Sequence, residues 1–308
     1  MPAIWIPKRM VEISLINTAA LSPQAFVHQC EQEYDNRIQA AASEVLASGC
    51  RIVMLTGPSA SGKTTTAQKL AQTLCQRGMV AQVISLDNFY KNLDLYPRLP
   101  DGTKDYENIT ALDVEEIQRC LAELAETGRT QLPQFDFVTE NRKEQRIPLD
   151  LQGGICIVEG IHALNPLLTS KLPPQKLYKI YAGLREEYSY RGQRVIPSRD
   201  VRLARRMVRD HKFRGHDLEK TIGMWNQVCT GEDQFIRVFK TQADLLVDTS
   251  FSYEICMLAH FVTPWAGWLP QEHPCAEKLN QLAGHFALVH PIDLSWLPEQ
   301  SMLREFLG

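Results

Sequence analysis

The chain has 308 residues, room for one large domain with appendages, and its 44% hydrophobic content is enough to fill a core. With 33 basic against 36 acidic residues the net charge is −3, which gives no support for a general polyanion binder, so nucleic acid is not an expected partner. Eight cysteines without a Cys-x-x-Cys pair or metal-ligand spacing suit reduced cytoplasmic thiols, and neither a signal-peptide pattern nor a run near the roughly 18 apolar residues of a membrane span is present.

Residues 1–50 read as an N-terminal helical segment. Positions 1 to 22 are mixed; from 23 to 47, Phe26, Cys30, Tyr34, Ile38 and Ala41 recur at helical steps, and Gly49 closes the helix. "RIVMLTG" (51–57) is apolar without alternation, as expected of a strand buried on both faces of a parallel sheet. A helix follows with Ala67, Leu70, Ala71 and Leu74 on one face, ending at Gly78. "VAQVISLDNFY" predicts a second strand running into a loop at Asp87. Asp113 and Glu116 form a capping box for a helix carrying Val114, Ile117, Leu121 and Leu124, closed by Gly128. "GICIVEG", "LYKIYAG" and "ADLLVDTS" predict three more buried strands, residues 185–198 a loop or flap, and residues 251–308 a helical extension packed on the core. Strands alternating with helices over 51–250 indicate an α/β doubly wound fold with ligands at the carboxyl ends of the strands.

Gly57, Pro58, Ser59, Ala60, Ser61, Gly62, Lys63 and Thr64 fit G-x-x-x-x-G-K-[ST] without a mismatch, between a buried strand and an amphipathic helix. Such a loop turns its backbone N–H groups on phosphate oxygens, and the following helix adds its positive end. Lys63 would reach the β- and γ-phosphates, the Thr64 hydroxyl would hold Mg²⁺, and Thr65 comes next in the cradle. The motif implies a nucleoside triphosphate and Mg²⁺ without naming the reaction.

A GTPase would carry Asn-Lys-x-Asp and a transport ATPase a Leu-Ser-Gly-Gly-Gln signature; neither occurs. A small-molecule kinase needs a base, a metal carboxylate and mobile cations, and each has a candidate. Asp87, past the second strand, could accept a hydroxyl proton, or could cap a turn. Glu159 terminates a buried strand, where it could hold Mg²⁺ or simply be a solvated strand end. In "DVRLARRMVRDHKFRG", Arg202, Arg205, Arg206 and Arg209 sit at offsets 0, +3, +4 and +7, which places them on one helical face opposite Leu203, Ala204, Met207 and Val208, with Arg214 following. Alone such a row can be a solvated surface face; beside a phosphate loop it reads as a lid near 200–220 that closes on the triphosphate.

The blocks G-x-S-x-S-G-K-T-T, "DNFY", "FDFVTENRK", "VEGI" and "DVRLARRMVRD…RG", in that order from about 51 to 250, resemble the uridine kinase branch of the phosphoribulokinase/uridine kinase family. "EGIHALNP", the inserted flap and "SMLREFLG" are more similar to a bacterial uridine-kinase-like subgroup. The resemblance implies a P-loop NTPase fold of the nucleoside-kinase type, with N- and C-terminal helical extensions, and phosphorylation of a nucleoside 5′-hydroxyl by ATP. It implies Asp87 as base, Thr64 and Glu159 as metal residues, Tyr90, Phe135 and Phe137 as pocket lining, and Arg206, Arg209 and Arg214 as substrate and phosphate contacts. Glu107, with Asp105 as the other candidate, falls where the family has an aspartate on the ribose hydroxyls. The two phenylalanines could also be core, and His162 reads as structural. The chain departs from the family at Pro58 in the loop, at Glu140 in place of a base-reading histidine, at His216 in place of an arginine and at Met224 in place of a glutamine. Exchanged donors and acceptors alter which base a pocket takes.

The expectation is a Mg-ATP-dependent kinase of a nucleoside-like small molecule, with Lys63, Asp87, Arg206 and Arg209 in the transfer step. Self-association is left open. The alternatives are a kinase of another small alcohol, such as a sugar phosphate, and a nucleotide-binding regulatory protein without turnover.

Overall fold

The computed structural model describes residues 7–99, 102–137 and 139–308; residues 1–6 of the expected N-terminal segment and Val138 of the aromatic block lie outside them. In chain order come β1 (Arg9–Glu12), α1 (Ile13–Ala19), α2 (Pro23–Ser48), β2 (Ile52–Thr56), α3 (Lys63–Gln76), β3 (Ala81–Ser85), α4 (Val114–Thr127), β4 (Arg129–Asp136), β5 (Asn141–Asp150), β6 (Ile155–Glu159) and α5 (Pro166–Thr169). Then follow β7 (Leu177–Gly183), β8 (Glu186–Tyr190), β9 (Gln193–Ile196), α6 (Ser198–Phe213), α7 (Leu218–Gly231), β10 (Leu245–Asp248), α8 (Glu254–Val262), α9 (Ala276–Phe286) and α10 (Arg304–Leu307).

The five expected strands form one parallel sheet in the order β10-β7-β2-β6-β3. All five residues of β2 are buried, because Val53 and Leu55 face one apolar cluster while Ile52 and Met54 face the other. Burial on both faces is why its sequence lacks alternation. One cluster packs α2, α3, α6, α8 and α9 on the sheet; the other packs α4 and α5. The helix boundaries follow local chemistry. The Asp113 carboxylate accepts the Glu116 N–H at 3.1 Å, and Gly49 and Gly128 close α2 and α4 with φ of 66° and 74°. All eight cysteines are free, and among the described residues no helix is long and apolar enough to cross a membrane.

Three regions differ from the sequence reading. Residues 185–198, read as a loop or flap, are an anchored hairpin, β8–β9, turning at Arg191 and Gly192 with φ of 53° and 77°. Two successive positive φ values are the type I′ turn that joins two strands tightly. The N-terminal segment, read as helical, opens with β1, which adds in parallel to β8. Glu186 and Glu187 are only 4% exposed, so the charged residues of "REEYSY" disguise a buried strand; Arg9 and Lys8 supply their counter-charges. A second hairpin, β4–β5, stands apart from the main sheet, with a register shift bracketing Pro133, which has no N–H to give to the ladder. Residues 251–308 are helical and packed on the core, Phe286 and Phe306 among the fully buried side chains.

Candidate active site

The phosphate loop spans the turn from β2 to α3. A Cβ on Gly57 would stand 2.3 Å from the Ala182 carbonyl oxygen of β7, so only glycine admits this approach. Ala60 and Gly62 have φ of 56° and 79°, curling the chain into a concavity. Pro58 is buried beside Gly183, which accommodates the departure at this position. From outside, α6 grips the loop: Arg202 donates to the Ser59 carbonyl at 3.0 Å, Arg205 to the Ala60 carbonyl at 3.3 Å, and Arg206 to Ser59 Oγ at 2.9 Å. The Ser61 hydroxyl is buried without a partner. Lys63, Thr64 and Thr65 are half-buried on the first turn of α3. A glycine-only cradle with an orphaned hydroxyl, a lysine and a helix N-terminus fits a chain of phosphates.

Asp87 and Glu159 stand together at the carboxyl ends of adjacent strands. Glu159 ends β6 and is 3% exposed. Burial pushes its carboxyl up, Lys63 draws it down and Asp87 pushes it up again, while Ser85 hydrogen-bonds it. A Cβ on Gly160 would strike Leu86 at 2.7 Å, so this glycine lets the Glu159 strand end close on the turn that carries Asp87. That turn is one 3₁₀ turn, Leu86–Phe89, whose Asp87 N–H is accepted by Ser85 Oγ at 3.3 Å. Among the described residues no group of three or more His, Cys, Asp or Glu could hold a metal. Thr64 and Glu159 therefore fit Mg²⁺ only as it sits in nucleotide sites, with few protein ligands and the rest from phosphates and water.

The arginine row divides. The four arginines share one arc of the helix about 100° wide, but their neighbours differ. Arg202 and Arg205 are 4% and 0% exposed and are structural: Arg202 pairs with buried Glu232, Arg205 with buried Glu254 at 2.6 Å. Helix α6 is thereby wedged against α7, α8 and α10 and is not a free lid over 200–220. Arg206, Arg209 and Arg214 converge on the buried carboxylate of Asp210, at 3.3, 3.1 and 3.5 Å. Asp210 thus gathers three cations at one end of α6, of which Arg206 reaches the loop at Ser59.

Beyond the Asp87 turn stands an aromatic wall. Ring centroids lie 5.6 Å apart for Tyr90 and Tyr96, 5.8 Å for Tyr90 and Phe135, 5.4 Å for Tyr96 and Tyr106, and 5.1 Å for Phe135 and Phe137. Phe135 is buried and Phe137 is 62% exposed. Arg142 of β5 ties the wall to the Asp87 turn: it donates to the Phe89 and Tyr90 carbonyls and to Asp113 and Glu116. Glu140 sits in the hairpin turn with φ of 53°, and after burial its charge is among the causes that push the Tyr96 and Tyr106 phenols up. Glu107 packs on Gly231; burial pushes its carboxyl up to about 7 against the pull of Arg206 and Lys63. Asp105 is occupied in a turn, accepting the Glu107 N–H at 3.1 Å and the Asn108 amide at 3.4 Å. His162 is buried, and burial lowers its imidazole to about 4, keeping it neutral. His216 is half-buried; burial and then Lys220 lower its pKa, and the charges of Arg214 and Arg206 reach it as well.

The structure brings together Lys63, Asp87, Glu107 and Glu159 with Arg206, Arg209, Arg214 and the aromatic wall; it leaves Asp105 in its turn. Tyr96, Tyr106, Asp210 and Arg142 are not evident from the sequence pattern. Only Asp210 carried a signal, an acid directly after a row of arginines on a helix face.

Residues 52–172 and 193–254 match the model of the phosphoribulokinase/uridine kinase family. The uridine kinase of Macrococcus caseolyticus is 28% identical over 207 residues, covering 67% of this chain and 91% of that enzyme. The uridine kinase of Saccharomyces cerevisiae is 29% identical over 199 residues, 64% of this chain but 36% of that longer protein. A solved structure from Silicibacter sp. TM1040, provisionally named a fructose transport system kinase, superposes with a TM-score of 0.51 at 21% identity over 68% of this chain and 98% of that one, a likeness of fold. The matched segments take in the loop, both acids and the arginine helix: the chain belongs to the phosphoribulokinase/uridine kinase family and is an ATP-dependent kinase of the P-loop class.

Proposed function

We propose that this kinase transfers the γ-phosphoryl group of MgATP to the 5′-hydroxyl of a nucleoside. The observation that carries the reading is that Asp87 stands beside Glu159 on the turn that leads directly into the aromatic cluster of Tyr90, Tyr96 and Phe135. Flat rings offer a face to a planar base, and a carboxylate between base and phosphate is placed for an acceptor hydroxyl. Bound MgATP supplies the phosphoryl group and a divalent cation to neutralise its oxygens. Thr64 and Glu159 hold that cation. The loop amides and Lys63 fix the phosphates, Asp87 orients the acceptor and takes its proton, and Arg206 and Arg209 balance the negative charge on the transferring group. Arg214 adds a contact to the triphosphate. Glu107 faces the ribose diol, while Tyr90, Phe135 and Phe137 line the base. The uridine kinases among the relatives make uridine and cytidine the first acceptors to test.

Assay of the purified chain with MgATP and a nucleoside panel decides the matter; failure to phosphorylate any nucleoside ends the reading. Asp87→Asn is expected to lower kcat by about 10²- to 10⁴-fold with nucleotide binding retained. A second reading, a kinase of another small alcohol such as a sugar phosphate, is favoured by Glu140 and His216, which put an acid and a weakly basic imidazole near the acceptor side. Efficient turnover of uridine would count against it.

A further inference from the structure

Residues 301–308 lie against the phosphate loop. The Met302 sulfur covers Gly62 so closely that a Cβ there would stand 2.5 Å from it. Glu305 accepts the hydroxyl of Thr65 at 2.6 Å, on the first turn of α3. Its charge is also felt at Glu159, so the carboxylate stands on the phosphate side of the loop. Phe306 is 0% exposed, its ring 5.0 Å from the guanidinium carbon of Arg205 and 5.9 Å from that of Arg209. The segment thus sets an anion on the N-terminal turn of the loop helix and a flat ring against the flanking arginines. These are the two features, in the same order, that a nucleotide presents to such a site.

We propose that residues 301–308 act as an internal surrogate of the nucleotide, occupying its place beside the loop and yielding it when MgATP binds. The proposal rests on the reading of this loop as the ATP site. Thr65 lies on the N-terminal turn of α3, where phosphates are held, so a nucleotide seated there meets Glu305. Only the last turn, α10, has to move. Ser301 stays anchored to Glu31 at 2.5 Å; the ties that open are those of Lys212 to the Leu307 carbonyl and of Arg304 to the Leu297 and Pro298 carbonyls. A site whose competent form is only a fraction of the population binds its ligand more weakly by that fraction, so the segment sets the apparent affinity for ATP.

The test measures MgATP binding by calorimetry to the full chain and to its Glu305→Gln and Phe306→Ala variants. Hydrogen exchange is followed at 304–307 with and without MgATP. Both variants are expected to bind MgATP about fivefold or more tightly than the unaltered chain, and the amides of 304–307 to exchange faster once MgATP is present. Equal or weaker binding by the variants, or greater protection of 304–307 with MgATP, overturns the proposal, since the segment is then a wall that helps hold the nucleotide. Glu305→Gln keeps the side chain's volume and decides alone if Phe306→Ala does not fold. Binding of MgATP by none of the three proteins overturns the ATP reading and the surrogate with it. Binding without the expected differences overturns the surrogate alone.

Discussion

Glu107 is the side chain whose chemistry is most displaced by its surroundings. Burial outweighs the attraction of Arg206 and Lys63, so its carboxyl holds a proton up to about 7. A carboxyl raised in the fold binds more protons folded than unfolded, so its contribution to stability is full below the free value of 4.5 and lost as pH rises through about 7. The unaltered chain is expected to lose stability relative to Glu107→Gln between pH 5 and 8, read from urea midpoints across that range. If ionised Glu107 accepts the acceptor's diol, kcat/KM for the acceptor rises with pH through about 7, and Glu107→Gln lacks that step. A flat profile in both proteins would remove Glu107 from acceptor binding. At this scale the sequence exposes acids that end buried apolar runs, such as Glu159, because the run itself is local. It hides Tyr96 and Tyr106, because the irregular backbone between residues 90 and 106, which brings their rings together, has no periodic pattern to read.

Among the elements, α6 is a strut rather than a lid, and its tip is organised by one acid. Replacing buried Asp210 with Asn leaves Arg206, Arg209 and Arg214 without their shared counter-charge. A loss of about 3 kcal/mol is expected, somewhat less for the partial exposure of the arginines, with a fall in kcat larger than any rise in the KM for the acceptor. Urea unfolding and steady-state kinetics check the two halves separately. The hairpin β4–β5 behaves differently. Arg142 joins it to the Asp87 turn, so Arg142→Ala is expected to raise the KM for the acceptor severalfold while the KM for ATP changes little; equal changes in both would mean the wall does not serve the acceptor. The five buried strands and the capped helices could be read from their own residues. The arginine row misled because helical spacing gives angles but not neighbours: Glu232 and Glu254, which claim Arg202 and Arg205, lie 30 and 49 residues away.

Over the whole molecule, the flanking segments belong to the same core as the kinase domain. Ile13, Ile16, Tyr34 and Ile38 before the loop, and Leu279, Phe286 and Phe306 after the last strand, share one cluster with Val53 and Leu55 of the central strand. Arg9 binds the buried carboxylates of Glu186 and Asp248 at 2.8 and 3.1 Å, joining β1 to both sheets. Arg9→Met is expected to lower stability by about 1–3 kcal/mol, measured by urea unfolding, because two buried acids lose hydrogen-bonded charge together. An unchanged midpoint would show that Arg37, 3.9 Å from Asp248, suffices.

The pairing of β1 with β8 also fixes an order of events during synthesis. Arg9 meets Glu186, 177 residues further on, so β1 has no partner until most of the central sheet has emerged. At about 5–20 residues per second the wait is on the order of ten seconds or more. For that interval a short strand with an exposed edge must stay unpaired, and Lys8 just before it and Arg9 at its start are the charges that discourage it from pairing with a neighbouring chain.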